Sequence, residues 1–236
     1  MTIQKTDISI RQAAIIAGVG MLIISILSPF GYAYSILGQI VPENAEATVN
    51  KIMASEGLFR IGIGCLLINA ILDIVVAWAL FIILRKVNKS ISLLSAWFRV
   101  AYTAILVVSL SNLLNVLHLI NGNDLLTSLE QTQLHTHVMV SINSFYNMWD
   151  FGLVIFSIHL VILGYLVYKS GYLPKFLGIL LLIAGLGYMH DSFSKIFFTN
   201  YKITISEYTF IGEFLLIFWV LRLGIKGFDK ISGLKT

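Results

Sequence analysis

One cysteine, Cys65, three prolines and few charges mark this chain: Asp, Glu, Lys and Arg together make up 12% of its 236 residues. A lone thiol excludes a disulfide framework and a Cys-based zinc site within one chain, and leaves the redox compartment unreadable. So little charge excludes an ordinary soluble domain, in which ionisable residues reach about 25%. There is no Gly-rich phosphate-cradling loop, no Walker-type lysine, no nucleophile elbow and no His-Glu-x-x-His. ATP is therefore not expected, and no cofactor is implied. A retinal-type pigment needs a mid-span lysine, and Lys195 lies near the end of its stretch. No basic, aromatic-interleaved surface is present either, so the net charge of +4 carries no sign of nucleic-acid binding. No internal repeat of the kind found in transporters built from inverted halves is visible.

What the chain has is apolar length. Hydrophobic residues reach 58% and mean hydropathy is +0.88. Six apolar stretches cover approximately 12–36, 57–84, 91–120, 138–168, 173–198 and 208–225. A bilayer core of about 30 Å needs about 20 helical residues, so each stretch suffices for one crossing. The expected fold is an all-α polytopic membrane protein, a single bundle of six transmembrane helices, with membrane lipids as its solvent and its first partners. The first stretch follows Lys5 and Arg11, as a signal peptide would. It is longer than a signal h-region and lacks a small-residue cleavage site, so it is expected to remain as an anchor.

Basic residues near the ends of the stretches set the expected orientation. Lys5, Arg11, Arg85, Lys86, Lys89, Lys169, Lys175, Arg222, Lys226, Lys230 and Lys235 fall on one side, against Lys51, Arg60, Lys195 and Lys202 on the other. Both termini are therefore expected in the cytoplasm. The connections 85–90 and 169–172 are tight, which predicts antiparallel hairpins of the second with the third span and the fourth with the fifth. The first outer connection is predicted to carry a short interfacial helix after Pro42. The second, 121–137, is polar and contains Asp124, Glu130, His135 and His137. Gly178 and Gly185, seven residues apart, share one face of the fifth span and invite a close helix contact.

Two blocks carry a family resemblance. One runs from Ala79 through Arg85-Lys86-Val87-Asn88-Lys89 to Leu93-Leu94-Ser95-Ala96-Trp97-Phe98-Arg99. The other starts at His159 and continues through Gly164-Tyr165-Leu166-Val167-Tyr168-Lys169-Ser170-Gly171-Tyr172-Leu173-Pro174-Lys175, Leu177-Gly178 and Ala184-Gly185-Leu186-Gly187-Tyr188. With Gly212-Glu213 and Trp219, they resemble the domain-of-unknown-function 4386 family over nearly the whole chain. The resemblance implies a bacterial multi-pass protein of the cytoplasmic (inner) membrane and brings no activity with it. It draws attention to Arg60, Arg99, His159 and Glu213 as members of matching motifs. His190 departs from the pattern, where an aliphatic residue is expected.

Ionisable groups inside a span cost at least about 2.5 kcal/mol each at the helix centre, so they should face the bundle interior in pairs. Counted from the inner ends, Asp73, Arg99 and His159 fall at about one depth, between about 12 and 16 Å. An Asp73–Arg99 ion pair is expected, with His159 beside it and Asn69 sharing the hydrogen bonding. Two uses are open: a bridge that locks helices, or an anion-binding or proton-relay site.

A second polar group belongs to the outer half: Asn112 and Asn115, Asn143, Asn147 and Asp150, His190 and Asp191, and Glu213. Asn143, Asn147 and Asp150 fall on one helical stripe and are expected to line a water-filled cup. Asp150 and Glu213 are either packing residues or functional carboxylates. His118, His135, His137 and His190 supply weak candidates for metal ligands, and no metal is expected because their spacing matches no known pattern. Intramembrane hydrolases of the ceramidase type use histidines with an Asp and a Ser, but their paired-His motif is not matched.

The function this arrangement predicts is binding or movement of a small polar or amphipathic molecule through a polar cavity open to the outer side. Asp73, Arg99, His159, Asn112, Asn147, Asp150, Asp191 and Glu213 are the candidate binding residues. An intramembrane, lipid-directed hydrolase is the first alternative, with Asp150, Glu213 or the outer histidines as acid, base or ligand. A structural or regulatory membrane subunit is the second. The oligomeric state is not readable.

Overall fold

The computed structural model describes residues 8–122, 131–198 and 204–226. Lys5, Asp124, Glu130, Lys202, Lys230 and Lys235, all used in the sequence expectations, lie outside them. The described residues form helices and no strands. Six helical segments are long and apolar enough to cross a membrane: Ile10–Gln39, Glu56–Leu84, Lys89–Ile120, Gln131–Lys169, Lys175–Phe197 and Ser206–Lys226. The protein is a multi-pass helical membrane protein. An even number of crossings brings the first and last described residues to the same side.

Each boundary has a local cause. Helix α1 (Ile10–Ser28) opens on a capping box in which Ser9 and Gln12 satisfy each other's backbone N–H groups. It continues into a π-helical stretch, Pro29–Ile36, and a 3₁₀ turn, Leu37–Gln39. Pro29 has no N–H to donate, so the ordinary ladder fails there and the chain adopts wider turns. Ser35 follows the same wide register, its hydroxyl donating to the Phe30 carbonyl five residues back at 2.9 Å. Helix α2 (Ala45–Ala54), capped by Asn44, is a short helix at the place expected after Pro42. Helices α3 (Glu56–Leu84) and α4 (Lys89–Ile120) form one tight hairpin, α4 starting where the Asn88 side chain accepts from the Ile91 N–H at 3.0 Å. Helices α5 (Gln131–Lys169) and α6 (Lys175–Phe197) form the other. A single turn, α7 (Ser206–Thr209), precedes α8 (Ile211–Lys226).

Helix α5 differs most from its expected span, beginning at Gln131 rather than Val138. Hydropathy reports where lipid begins, whereas helical hydrogen bonds persist into the polar layer beyond it. The last span is also broken, with α7 and α8 meeting at Phe210.

The crossing helices pack in a ring in the order α1, α3, α4, α5, α6, α8 and back to α1. Between helices in lipid, close packing replaces the hydrophobic effect as the main attraction, which favours small residues at the seams. Along α5 and α6 a Cβ added to Gly178 would come within 2.7 Å of the Gly164 carbonyl, and one on Gly185 within 2.9 Å of the Ser157 carbonyl. The expected glycine contact therefore exists, with Gly164 as its counterpart. Gly31 and Gly62 do the same between the π-helical stretch and α3. At the ring's closure, Arg11 Nε donates to the Gly224 carbonyl at 3.0 Å.

Two apolar clusters fill the ring. The larger, toward the terminal side, gathers residues such as Leu80, Ile83, Leu163, Leu177 and Leu216. The smaller, at the opposite end, packs Val49 and Ile52 of α2 over Phe59, Leu113, Ile142 and Phe145. A polar layer lies between and beside them.

Candidate functional site

Three helices deliver the central polar unit. Asp73 on α3 accepts from Arg99 on α4, through Nε at 2.9 Å and Nη2 at 2.5 Å, both to Oδ1. Both side chains are buried, 6% and 7% exposed, so each charge depends chiefly on the other. On the other flank, Arg99 Nη1 lies 3.3 Å from His159 Nε2 on α5. Arginine can only donate, so Nε2 is the acceptor and the ring proton sits on Nδ1. Nδ1 then donates to the Ser95 carbonyl at 2.9 Å. The Phe156 ring lies beneath the guanidinium, 5.5 Å from it. The expected Asp73, Arg99 and His159 grouping is present as one connected unit joining α3, α4 and α5.

Asn69 does not join it. Its amide is buried, yet neither its oxygen nor its nitrogen has a hydrogen-bond partner among the described residues. Arg99 reaches Asp73 from the neighbouring helix rather than along α3, which leaves the residue one turn away outside the bond.

Above this unit lies a cavity of about 620 Å³, reached between α1 on one side and α7 and α8 on the other. A second chamber of about 400 Å³ shares Tyr32, Arg99, Trp149, Tyr188 and Glu213 with it and extends to Asp73, Asp150 and Lys195. The two polar groups that depth counting separated thus face one space. The first chamber is mainly apolar, with Met21, Ile24, Leu160, Leu163 and Ile217 in its wall. The second is more polar and aromatic.

Glu213 enters this space from the first turn of α8, and its Oε1 is buried without a partner among the described residues. Trp149 Nε1 and the Tyr146 hydroxyl are likewise buried and unpartnered there. A buried polar atom without a partner costs about 1–3 kcal/mol, so three at one cavity mark a place where something else completes the bonding. Asp150 is answered by Lys195 of α6 at 3.0 Å.

The remaining candidates lie elsewhere. Asn112 donates to the Ser109 carbonyl at 3.2 Å and approaches Met148 Sδ at 3.3 Å, at the α4–α5 seam. Asn143 and Asn147 are exposed, and the inward positions of that part of α5 belong to Phe145, Tyr146 and Trp149. The stripe containing Asp150 is therefore split between outside and inside. Asp191 accepts from the backbone N–H of Ile205 at 3.1 Å and Ser206 at 2.7 Å, anchoring the start of α7. His190 is exposed, with Nδ1 3.4 Å from Asp191. His118 and His137, with Asn115, border a separate surface groove of about 330 Å³, and His135 sits in the first turns of α5. Among the described residues no three His, Cys, Asp or Glu side chains gather as a metal site requires. Arg60 pairs along its own helix with Glu56 at 2.6 Å.

The aromatic wall was not among the sequence candidates. Tyr32 meets Trp149 edge to face with ring centroids 4.5 Å apart, and Tyr188 packs across Phe156 at 5.9 Å. Pro29 was the available signal, since the break it forces carries Tyr32 to the cavity.

The family described as "Domain of unknown function (DUF4386)" matches residues 16–224. A chain of Archaeoglobus fulgidus described as an uncharacterized protein is 39% identical over 198 residues, covering 84% of this chain and 98% of that one. No solved structure matches. The family match runs from within α1 almost to the end of α8 and so takes in every helix of the ring: this chain belongs to the DUF4386 family.

Proposed function

We propose that the protein binds, or carries across part of the membrane, a small amphipathic molecule held in the cavity between α1, α5, α6 and α8. The observation that carries this reading is the cavity's two-sided lining: a mainly apolar chamber of about 620 Å³ joined to one bearing Arg99, Asp150 and Glu213. Ligand sites commonly fall between about 300 and 1,000 Å³, are mostly apolar, and hold a few convergent polar groups. The unpartnered atoms of Glu213, Trp149 and Tyr146 support the same reading. The Asp73–Arg99–His159 unit serves as the cavity's floor and as a lock on three helices. By the distribution of Lys and Arg, the termini face the cytoplasm and the cavity opens on the far half of a bacterial cytoplasmic membrane.

Native mass spectrometry of protein extracted gently from its own membrane tests this. A defined adduct is expected on the wild type and not on Ser28→Trp, which fills a position lining both chambers. A bare mass for the wild type, or an adduct that survives Ser28→Trp, sinks the reading. Uptake into liposomes then separates carriage from binding.

A further inference from the structure

The ligand's charge is legible in the cavity. Among the described residues, two cations line the joined chambers, Arg99 and Lys195, against four carboxylates, Asp73, Asp150, Glu207 and Glu213. Both cations are committed: Arg99 to Asp73, Lys195 to Asp150 at 3.0 Å. Helix α1 and the π-helical stretch after it contribute no charge to balance the remaining two, their polar lining groups being Ser25, Ser28 and Tyr32. Of these two, Glu207 is exposed at the mouth, whereas Glu213 has the Tyr188 side chain as its one neutral partner and keeps Oε1 buried with none among the described residues. A buried carboxylate stays charged only beside a cation, and otherwise takes up a proton.

The walls around it suit a particular cation. Tyr32 and Trp149 form an edge-to-face pair at 4.5 Å, and Tyr102, Tyr146 and Tyr188 line the same chamber. Aromatic faces attract ammonium groups, and cages of them recognise quaternary ammonium without requiring a hydrogen bond. Beyond them the apolar chamber runs along Met21, Ile24, Leu160 and Leu163. Its edge includes Phe210 and Phe214, both about half exposed, so the space reaches the lipid-facing surface beside α8.

We propose that the cavity selects lipophilic ammonium compounds, with the cationic head against Glu213 and the Tyr32–Trp149 wall and the alkyl tail in the apolar chamber. This rests on the ligand-binding reading above and adds the sign of the charge. With no ligand bound, a proton on Glu213 takes the place of the head, so the ammonium and the proton compete. The charged and titratable groups facing that exchange are Asp73 on α3, Arg99 and Tyr102 on α4, Tyr146 and Asp150 on α5, Tyr188 and Lys195 on α6, Glu207 on α7 and Tyr32 on the π-helical stretch.

The test is calorimetric titration of the protein in nanodiscs with octyltrimethylammonium and with octanesulfonate, two probes with one tail and opposite heads, empty nanodiscs being subtracted. The ammonium is expected to bind at least about tenfold more tightly than the sulfonate, and Glu213→Gln to abolish that preference while keeping the wild-type melting temperature. Tighter binding as pH rises is expected for wild type and not for Glu213→Gln. If Glu213→Gln does not fold, Trp149→Leu with Tyr32→Leu takes its place: loss of the ammonium alone supports the proposal, and unchanged binding overturns it. Equal or stronger sulfonate binding overturns the cationic preference and leaves the cavity reading standing. Binding of neither probe also overturns it, while the native-mass result decides the cavity reading separately.

Discussion

Arg99 and His159 meet 3.3 Å apart across the α4–α5 seam, with the imidazole accepting and its opposite nitrogen tied to the Ser95 carbonyl. This small contact extends the Asp73–Arg99 pair to a third helix, so one guanidinium holds α3, α4 and α5 at one level.

Breaking that unit should be expensive and non-additive. Asp73→Leu or Arg99→Met alone leaves a buried charge unanswered and is expected to destabilise by about 3 kcal/mol, whereas the double variant Asp73→Leu with Arg99→Met should lose less than the two single changes combined. Denaturation of the four proteins in detergent, read as a double-mutant cycle, checks the coupling. Additive losses would show that the pair does not act as one.

The α5–α6 seam should tolerate no side chain at Gly178. Its Cβ would lie 2.6 Å from the Tyr168 nitrogen, and backbone cannot step aside as a flexible side chain can. Gly178→Val is expected to lower stability by about 2–3 kcal/mol. Gly57→Ala meets nothing within 4 Å and should leave stability unchanged or raise it by up to about 1 kcal/mol through better helix propensity. Thermal melts of both variants would expose a wrong register at the seam.

Tyr172, within the α5–α6 connection, donates to the Ile83 carbonyl at 2.6 Å, joining one hairpin to the end of the other. Tyr172→Phe keeps the ring and removes the hydroxyl, so a loss of about 1 kcal/mol is expected. Faster amide exchange confined to the last turn of α3 would be its local signature.

The Lys195–Asp150 pair is far more exposed, 41% and 17% at the two side chains. Lys195→Met should change stability by less than about 1 kcal/mol and make it less sensitive to added salt. A loss comparable to that of Asp73→Leu would mean the pair is shielded from water.

Depth along a span proved readable and direction around it much less so. Asp73, Arg99 and His159 were placed together by counting residues from the helix ends, because rise per residue is constant. The hairpins and the Gly178–Gly185 face followed from loop length and spacing, which also act along the chain. Direction around the axis requires an amphipathic contrast, and a span apolar on every side offers little. Asn143 and Asn147 show the difficulty, since near the polar layer both the inside and the outside of a helix accept an amide. Tyr32 was hidden for another reason: its direction depends on how the chain rewinds after Pro29, a response of the backbone rather than a pattern of side chains.

The bond between Arg11 and the Gly224 carbonyl joins positions 213 residues apart and completes a ring in which every other seam lies between helices closer in sequence. During synthesis the first five crossings can form only an open arc, with Arg99 and its cavity facing lipid on the side where α8 belongs. Insertion of the final helix is therefore the step that creates an enclosed interior, and truncation before residue 211 would yield a protein with most of its contacts and no vessel.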